Sequence, residues 1–299
     1  MTTAQGWSRD AVGNDASGAL SAFQESLPVH LIATGRADFK TCLPDEALSE
    51  VLERNRTDGF DFLPVMSPGT RLGQTVSGVL EVAAIVNVAA PDQPVRDQMR
   101  PLGEEHLIGA DASILTFIRD ADRHPFRFVV SGREINGLVS VSDLQRLPVR
   151  AALFAFVTQL EMTMADVIRC WFPKPDAWMG LLSQGRAGKI REKVARAKTE
   201  DTLVDQLLYT ELCDKVTILE KEWPSSGNGS SQKGLFQKDM KDIQNLRDRL
   251  AHANDYAATR DAARNLCDCV RKMDGWIKSL AERGSGLPRP PSRTASERD

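Results

Sequence analysis

The sequence predicts an α+β protein in which two tandem βαββα units precede an all-α helical bundle. Up to about residue 148, short runs of β-branched residues alternate with helical patterns and turn residues. The order strand, helix, strand, strand, helix occurs twice in this stretch. After residue 148 the strand patterns stop, and apolar residues recur at the three- and four-residue steps of helices.

Each copy of the repeat has identifiable strands and a helix. In the first copy these are the strand Val29–Ala33, the helix Pro44–Arg54, the strands Phe60–Met66 and Val76–Leu80, and a helix start at Glu81–Val86. In the second they are the strand His106–Gly109, the helix Ala112–Asp122, the strands Phe126–Val130 and Ile135–Val139, and a helix start at Ser142–Leu144. A polar connector, Pro91–Pro101, separates the copies.

The helical half has an equally regular pattern. Its predicted helices are Arg150–Cys170, Lys189–Lys198, Leu203–Glu222, Lys238–Ala253 and Asp261–Arg283, with a loop at Gly227–Ser231. The predicted domains are therefore a doubled α/β domain over 25–148 and a helical domain over 149–283. Residues 1–24 and 284–299 are polar, lack periodicity and are predicted to be disordered.

Composition restricts the classes of function. A net charge of −3 argues against an extended nucleic-acid surface, so any such surface must be a local patch. No uninterrupted apolar run reaches the roughly 18 residues of a membrane span, and no secretory leader is recognisable, so we expect a cytoplasmic protein that does not contact membranes. The five cysteines form no C-x-x-C pair, which predicts reduced thiols and no metal site.

The end of the second repeat carries a motif suited to a nucleotide. Gly137 to Asp143 reads Gly-Leu-Val-Ser-Val-Ser-Asp. The Ser140 hydroxyl, at the end of a strand and beside a helix N-terminus, can donate to a phosphate. The Asp143 carboxylate, three residues later, can accept the hydroxyls of a ribose. The alternative is an ordinary helix N-cap, in which Ser140 or Ser142 and Asp143 only start the helix.

This motif resembles the G-x-φ-[ST]-x-x-D signature of the CBS domain, which folds as a tandem pair. The resemblance covers about 120 residues and implies AMP, ADP or ATP as a regulatory ligand held by Ser140 and Asp143. By positional analogy, Ile108 and Arg127 would border the base or the phosphate. The first copy reads Gly78-Val-Leu-Glu-Val-Ala-Ala at the matching place and lacks both polar groups. We therefore expect one nucleotide site for the pair, or a first copy that is purely structural.

A second motif lies near the C-terminus, where Arg247 and His252 are separated by four residues and Asp248 follows the arginine. A neutral imidazole near pH 7 can move protons during RNA cleavage by the 2′-hydroxyl. A guanidinium can stabilise the charge that develops on the phosphorus. Asp248 is suited to orient Arg247. The alternative is that the arginine is a solvated helix charge and the histidine a C-terminal dipole partner.

The segment Lys241–Tyr256 resembles the HEPN superfamily, whose signature is R-x(4 to 6)-H in a small helical bundle. The long first helix, with Glu161 inside it, also looks like that family. The resemblance implies a metal-independent ribonuclease that needs no cofactor for catalysis, of the kind found in toxin and antiviral systems. Because five positions rotate a helix by about 140°, Arg247 and His252 do not share one face. A site composed from two chains, and so a homodimer, is expected.

Basic residues near the second motif are candidates for guiding RNA. Lys241 and Arg249 are the closest in sequence, followed by Lys238 and the stretch Arg186–Lys193. The sequence thus leads to the hypothesis of an adenine-nucleotide-regulated endoribonuclease. The alternatives are a non-catalytic dimeric scaffold or RNA-binding module, and an energy-sensing regulator of another protein.

Overall fold

The fold is taken from a computed structural model that describes residues 22, 27–68, 74–85, 92–199, 205–223 and 228–286. These residues form two compact units. The α/β unit consists of residues 27–149 together with 257–267, and the helical unit consists of 150–256 with 268–286. The expected disorder over 1–24 lies outside the described residues except for residue 22. The expected tail from residue 284 starts too early, because the last helix continues to Gly286.

The α/β unit contains seven strands and three α-helices among its described residues up to 146. The strands are β1 (Thr34–Gly35), β2 (Phe62–Pro68), β3 (Gln74–Glu81), β4 (Arg100–Pro101), β5 (Leu107–Gly109), β6 (Phe126–Ser131) and β7 (Glu134–Ser140). The helices are α1 (Leu48–Asp58), α2 (Val82–Ile85) and α3 (Ile114–Ile118). The strand expected at Val29–Ala33 is instead a 3₁₀ turn over Val29–Leu31, followed by the two-residue strand β1.

Each sheet includes one short strand from outside its own repeat. One sheet has the order β1-β7-β6-β5 and the other β2-β3-β4. Strand β1 comes from the first copy but pairs antiparallel with β7 of the second, with Gly35 opposite Gly137. Strand β4 precedes the second copy but pairs with β3 of the first, with Pro101 opposite Gly78. The copies are therefore interlocked rather than consecutive.

The two sheets pack face to face through aromatic side chains. Phe62, Met66, Val76 and Val79 of the first sheet form one cluster with Phe126 and Phe128 of the second. The rings of Phe62 and Phe126 have centroids 4.9 Å apart. His106 stacks on Phe126 at 5.0 Å, and burial lowers the pKa of its imidazole. The doubled unit thus has a shared apolar centre.

The helical unit contains most of the long helices. In chain order the helices are α4 (Leu147–Trp171), α5 (Pro175–Met179), α6 (Gln184–Lys198), α7 (Leu212–Lys221), α8 (Asn228–Ala251) and α9 (Arg260–Gly286). The helix expected over Leu203–Glu222 is divided, because Thr210 and Glu211 separate the 3₁₀ turn Gln206–Tyr209 from α7. Helix α8 begins inside the segment expected to be a loop.

Helix α4 contributes buried apolar residues to the core of the helical unit. Leu153, Leu160, Met164 and Ile168 are all fully buried. In the described part of the chain, it is the one helix whose length and apolar composition would suffice to cross a membrane. Just over half of its most apolar stretch is buried, and the core helix of a globular bundle meets the same criteria.

Candidate functional sites

The Ser140–Asp143 motif forms a closed local cap at the end of β7. The Ser140 backbone N–H donates to Asp143 Oδ2 at 2.8 Å, and the Ser140 hydroxyl lies 3.4 Å from the same oxygen. Arg146 Nε lies 2.8 Å from Asp143 Oδ1. The carboxylate starts the 3₁₀ turn Val141–Gln145, as the N-cap alternative describes.

Asp143 is only 8% exposed. Burial raises the pKa of its carboxyl, although Ser140 and Arg146 act in the opposite direction. Both carboxylate oxygens already have partners within the chain, so a ribose would have to share or displace them.

Arg127 and Ile108 do not converge on Ser140. In the β6–β7 pair, Arg127 lies opposite Val139, and its neighbour Phe126 lies opposite Ser140. Successive residues of a strand point to opposite faces, so Arg127 and Ser140 lie on different faces of the sheet. Ile108, opposite Val129, shares the Arg127 face. A single pocket that includes all three residues would have to reach both faces of the sheet, and the placement of Ile108 and Arg127 beside the base or phosphate stays a prediction.

Arg127 has structural partners instead. Its guanidinium donates to the Leu107 carbonyl at 3.1 Å and to Asp120 Oδ2 at 2.5 Å. These contacts join β6 to β5 and to the end of α3.

A cavity of about 210 Å³ lies in the α/β unit beside Ser142. Its charged or polar lining residues are Asp61, Glu81, Asp122, Ser142, Thr259, Arg260 and Arg264. The Ser142 hydroxyl donates to Asp61 at 3.1 Å, which joins the two repeats. Sequence reasoning missed this cavity because its lining residues come from distant parts of the chain, between Asp61 and Arg264.

Arg247 and Asp248 form a local pair near the end of α8. Arg247 donates to Asp248 Oδ1 at 3.2 Å, and its side chain is 38% exposed. The carboxylate therefore contacts the guanidinium that it was expected to orient.

His252 is the C-cap residue of α8 in a Schellman arrangement. Its own N–H donates to the Asp248 carbonyl at 3.1 Å. The next two N–H groups turn back, Ala253 to Leu250 at 3.4 Å and Asn254 to Arg249 at 2.9 Å. Ala253 has a φ of 53°, the left-handed conformation this motif requires. The exposed imidazole is thus attached to a defined turn.

Arg150 of α4 binds the backbone of the same turn, and the sequence did not reveal this contact. Its guanidinium donates to the carbonyls of Leu250 at 2.9 Å, Asn254 at 3.0 Å and Arg249 at 3.2 Å. It also lies over the Tyr256 ring at 5.0 Å. Residues about a hundred positions apart meet here, so no spacing rule indicates the contact.

Within one chain, Arg247 and His252 do not meet. In the part of the chain that the structure describes, no hydrogen bond or ion pair joins them. Lys241 is exposed and eleven residues before His252, so the two side chains are only about 20° apart around α8. Arg249 is exposed about 60° from His252, and its guanidinium lies 3.4 Å from the Asp255 carbonyl. Lys241 and Arg249 therefore flank the histidine side of α8.

Arg186 and Glu161 are half-buried and pair with the buried residues Asp214 and Lys215 rather than with this surface. Arg186 binds both oxygens of Asp214 at 2.7 Å and also contacts Glu211 at 2.9 Å. Glu161 lies 3.7 Å from Nζ of Lys215, whose pKa is lowered by burial. These partners show that Arg186 helps to hold the bundle together, so its expected role in guiding RNA is not favoured. No cluster of three or more His, Cys, Asp or Glu side chains suited to a metal occurs in the described ranges.

Comparison with known proteins gives similarity at the level of structure only. No family model and no curated protein matches the sequence. The similar solved structures include the CBS domain of a bacterial CNNM/CorC-family Mg²⁺ transporter in complex with ATP, with 16% identity and a TM-score of 0.35 over 44% of this chain and 93% of that one. A hemolysin-like protein containing a CBS domain from Oenococcus oeni has 13% identity and the same TM-score over 42% of this chain and 93% of its own. A CBS-domain protein of unknown function from Bacillus anthracis has 13% identity and a TM-score of 0.35 over 42% and 94%. At these values the similarity transfers no activity to this chain.

Proposed function

We propose that this protein is a metal-independent endoribonuclease whose activity is regulated by an adenine nucleotide bound to its CBS-like unit. The observation that carries the proposal is the exposed His252 imidazole, held on a defined turn one helical turn beyond the Arg247–Asp248 pair. A base or acid and a fixed guanidinium are the groups that RNA cleavage without a metal requires. Such an enzyme would suit a toxin or antiviral defence system.

In the proposed reaction, the RNA 2′-oxygen attacks the adjacent phosphorus while its proton leaves to a base. The bond from phosphorus to the 5′-oxygen breaks, and that oxygen takes up a proton. The products are a 2′,3′-cyclic phosphate and a 5′-hydroxyl. His252 is proposed to move one of these protons, and Arg247 to bind the non-bridging oxygens.

The site is proposed to be completed by a second chain. Arg247 and His252 diverge by about 140° around α8, so one chain presents them in different directions. In a homodimer with the two α8 ends facing each other, Arg247 of one chain can approach His252 of the other.

The nuclease proposal is tested by incubating the purified protein with single-stranded and structured RNA in EDTA. We expect cleavage by the wild type and a loss of at least 100-fold in His252→Asn and Arg247→Gln. His124→Asn and Arg56→Gln, in the α/β unit, are the matched controls and should keep wild-type rates. Cleavage that persists in both site variants would refute the assignment.

The regulatory proposal is tested by calorimetric titration with ATP, ADP and AMP. We expect one site per chain, with binding weakened in Ser140→Ala and in Asp143→Asn, and unchanged in Ser131→Ala at the exposed end of β6. Asparagine can still accept the hydrogen bond from the Ser140 N–H, so Asp143→Asn keeps the cap while removing the charge. Equal affinity in all three variants would place the ligand elsewhere.

A non-catalytic regulator is the second candidate. It is favoured by one observation: Asp143 and Arg247 both already have partners within the chain. Nucleotide binding without RNA cleavage, with or without nucleotide, would support this candidate.

A further inference from the structure

We propose that Arg150 is the positioning residue for His252. The inference rests on the proposed function, because it assigns a role in the same site. The starting observation is that the Arg150 guanidinium binds three carbonyl groups, those of Arg249, Leu250 and Asn254.

The hydrogen bonds from Arg150 hold the backbone on both sides of His252. Arg249 and Leu250 precede His252 and Asn254 follows it, so the guanidinium holds the backbone at both ends of the turn. The last carbonyls of a helix have no intrahelical partners, and a cation at this end is favoured by the helix dipole. Arginine suits this role because its planar fork can donate to several acceptors at fixed angles.

A contact with Tyr256 also restricts the Arg150 guanidinium. The Tyr256 ring is 3% exposed and lies under Arg150 at 5.0 Å. A cation over an aromatic face is attracted to it, so the clamp formed by Arg150 and Tyr256 has a preferred orientation. Among the described residues, the recorded contacts of Arg150 are with backbone carbonyls and the Tyr256 ring, not with the imidazole. The effect on His252 therefore passes through the backbone, as expected of a positioning residue rather than a catalytic one.

A misplacement of about 1 Å can reduce a catalysed rate by about 100-fold. In the RNA assay we therefore expect Arg150→Ala to lower kcat by about 10- to 100-fold with little change in KM. Arg150→Lys should recover part of kcat, because it keeps the charge but donates in fewer fixed directions. Guanidinium chloride at tens of millimolar should restore part of the Arg150→Ala rate.

Arg169→Ala is the matched control. Arg169 lies on the same helix, about 28 Å further along, and contacts Asp166 and Asp205 through several donors. The substitution thus removes a comparable set of arginine contacts from α4 without touching the turn. It should leave kcat unchanged and gain nothing from guanidinium. A wild-type kcat in folded Arg150→Ala, or equal losses in both variants, would overturn the proposal.

An NMR measurement separates this proposal from the nuclease proposal. The chain has four histidines, so the His252 imidazole signal can be assigned with His252→Asn. We expect one narrow signal in the wild type and in Arg169→Ala, and a shifted or broadened signal in Arg150→Ala. If no RNA is cleaved by any variant, the nuclease proposal fails while this result still supports positioning. An unchanged His252 signal in Arg150→Ala would contradict it.

Discussion

Ala253 shows how a single residue defines the end of α8. Its φ of 53° lies in the left-handed region, where a Cβ atom is crowded and glycine is the usual residue. The sequence places alanine there, so the turn that carries His252 keeps a small conformational strain. The adjoining Schellman bonds and the Arg150 clamp maintain that conformation.

We expect Ala253→Gly to stabilise the protein by about 0.5–1 kcal/mol. The relief of left-handed strain, about 1–2 kcal/mol, is partly offset by the greater freedom of glycine in the unfolded chain. Urea denaturation measures the difference. Ala251→Gly, in the last right-handed turn of α8, is the control and should destabilise by up to about 1 kcal/mol. A loss of stability in Ala253→Gly would contradict this account.

The thiols differ in reactivity because they differ in burial. Burial raises the pKa of Cys42 to about 12 and that of Cys269 to about 11, whereas Cys170 is exposed. Because the thiolate is the reactive form, iodoacetamide should label Cys170 first in the native protein. Peptide mapping after a short exposure checks this, with urea-unfolded protein as the control in which all the cysteines react. Early labelling of Cys42 would be inconsistent with the packing of α1 against its sheet.

At the scale of elements, the short strands β4 and β1 explain why the repeats have glycine at 78 and 137. A Cβ on Gly78 would lie 2.3 Å from the Arg100 carbonyl oxygen of β4, and one on Gly137 would lie 3.1 Å from the Thr34 oxygen of β1. Each glycine thus admits a short strand from outside its own repeat. The signature glycine at 137 has a structural reason independent of any ligand.

We expect Gly78→Ala to destabilise the protein by about 1–3 kcal/mol, because the backbone of β4 must move. Gly137→Ala, with more room, should cost less. Gly188→Ala on α6 meets nothing within 4 Å and should stabilise by about 0.5–1 kcal/mol. Thermal unfolding of the three variants tests this order, and a Gly78→Ala variant as stable as the wild type would refute it.

The ion pair between α6 and α7 should be the costliest polar contact to break. Asp214 is 4% exposed, binds Arg186 through both oxygens and accepts from the Glu211 N–H at 2.8 Å. Asp214→Ala leaves that guanidinium without its main partner, which should cost about 3–5 kcal/mol. Glu192→Ala on α6 removes an exposed pair with Arg196 and should cost less than about 1 kcal/mol. Similar melting temperatures for both variants would argue against this difference.

The sequence predicted the elements that carry strong local patterns and missed those that depend on distant partners. The hairpin strands β2–β3 and β6–β7 follow from their β-branched runs, and the long helices from their apolar periodicity. Strands β1 and β4 are two residues long, too short for any periodicity. Ser140 and Asp143 were identified as adjacent, but the ion pair of Asp143 with Arg146 was not. The Arg150 contact was missed because it joins helices that are a hundred residues apart.

At the scale of the whole molecule, two helices belong to both compact units. Helix α4 begins three residues before the helical unit, and the first part of α9 belongs to the α/β unit. Unfolding of either unit therefore interrupts a helix of the other. We expect the two units to lose structure together rather than in separate steps.

Two reporters can check this. The described tryptophans, Trp171, Trp178, Trp223 and Trp276, all lie in the helical unit, whereas Cys42 lies in the α/β unit. Tryptophan fluorescence and pulsed labelling of Cys42 should therefore give the same urea midpoint. In Asp214→Ala both midpoints should fall together. Exposure of Cys42 at clearly lower urea than the fluorescence change would show that the units are independent.

The discontinuity of the α/β unit has a consequence for synthesis on the ribosome. Domains usually fold as they emerge, the N-terminal one first. Here residues 27–149 leave the ribosome long before 257–267, which complete the same unit. The α/β unit must therefore remain incomplete until most of the helical unit has been translated. A chain that terminates before residue 257 would lack the last part of the α/β unit and the last helix of the helical unit.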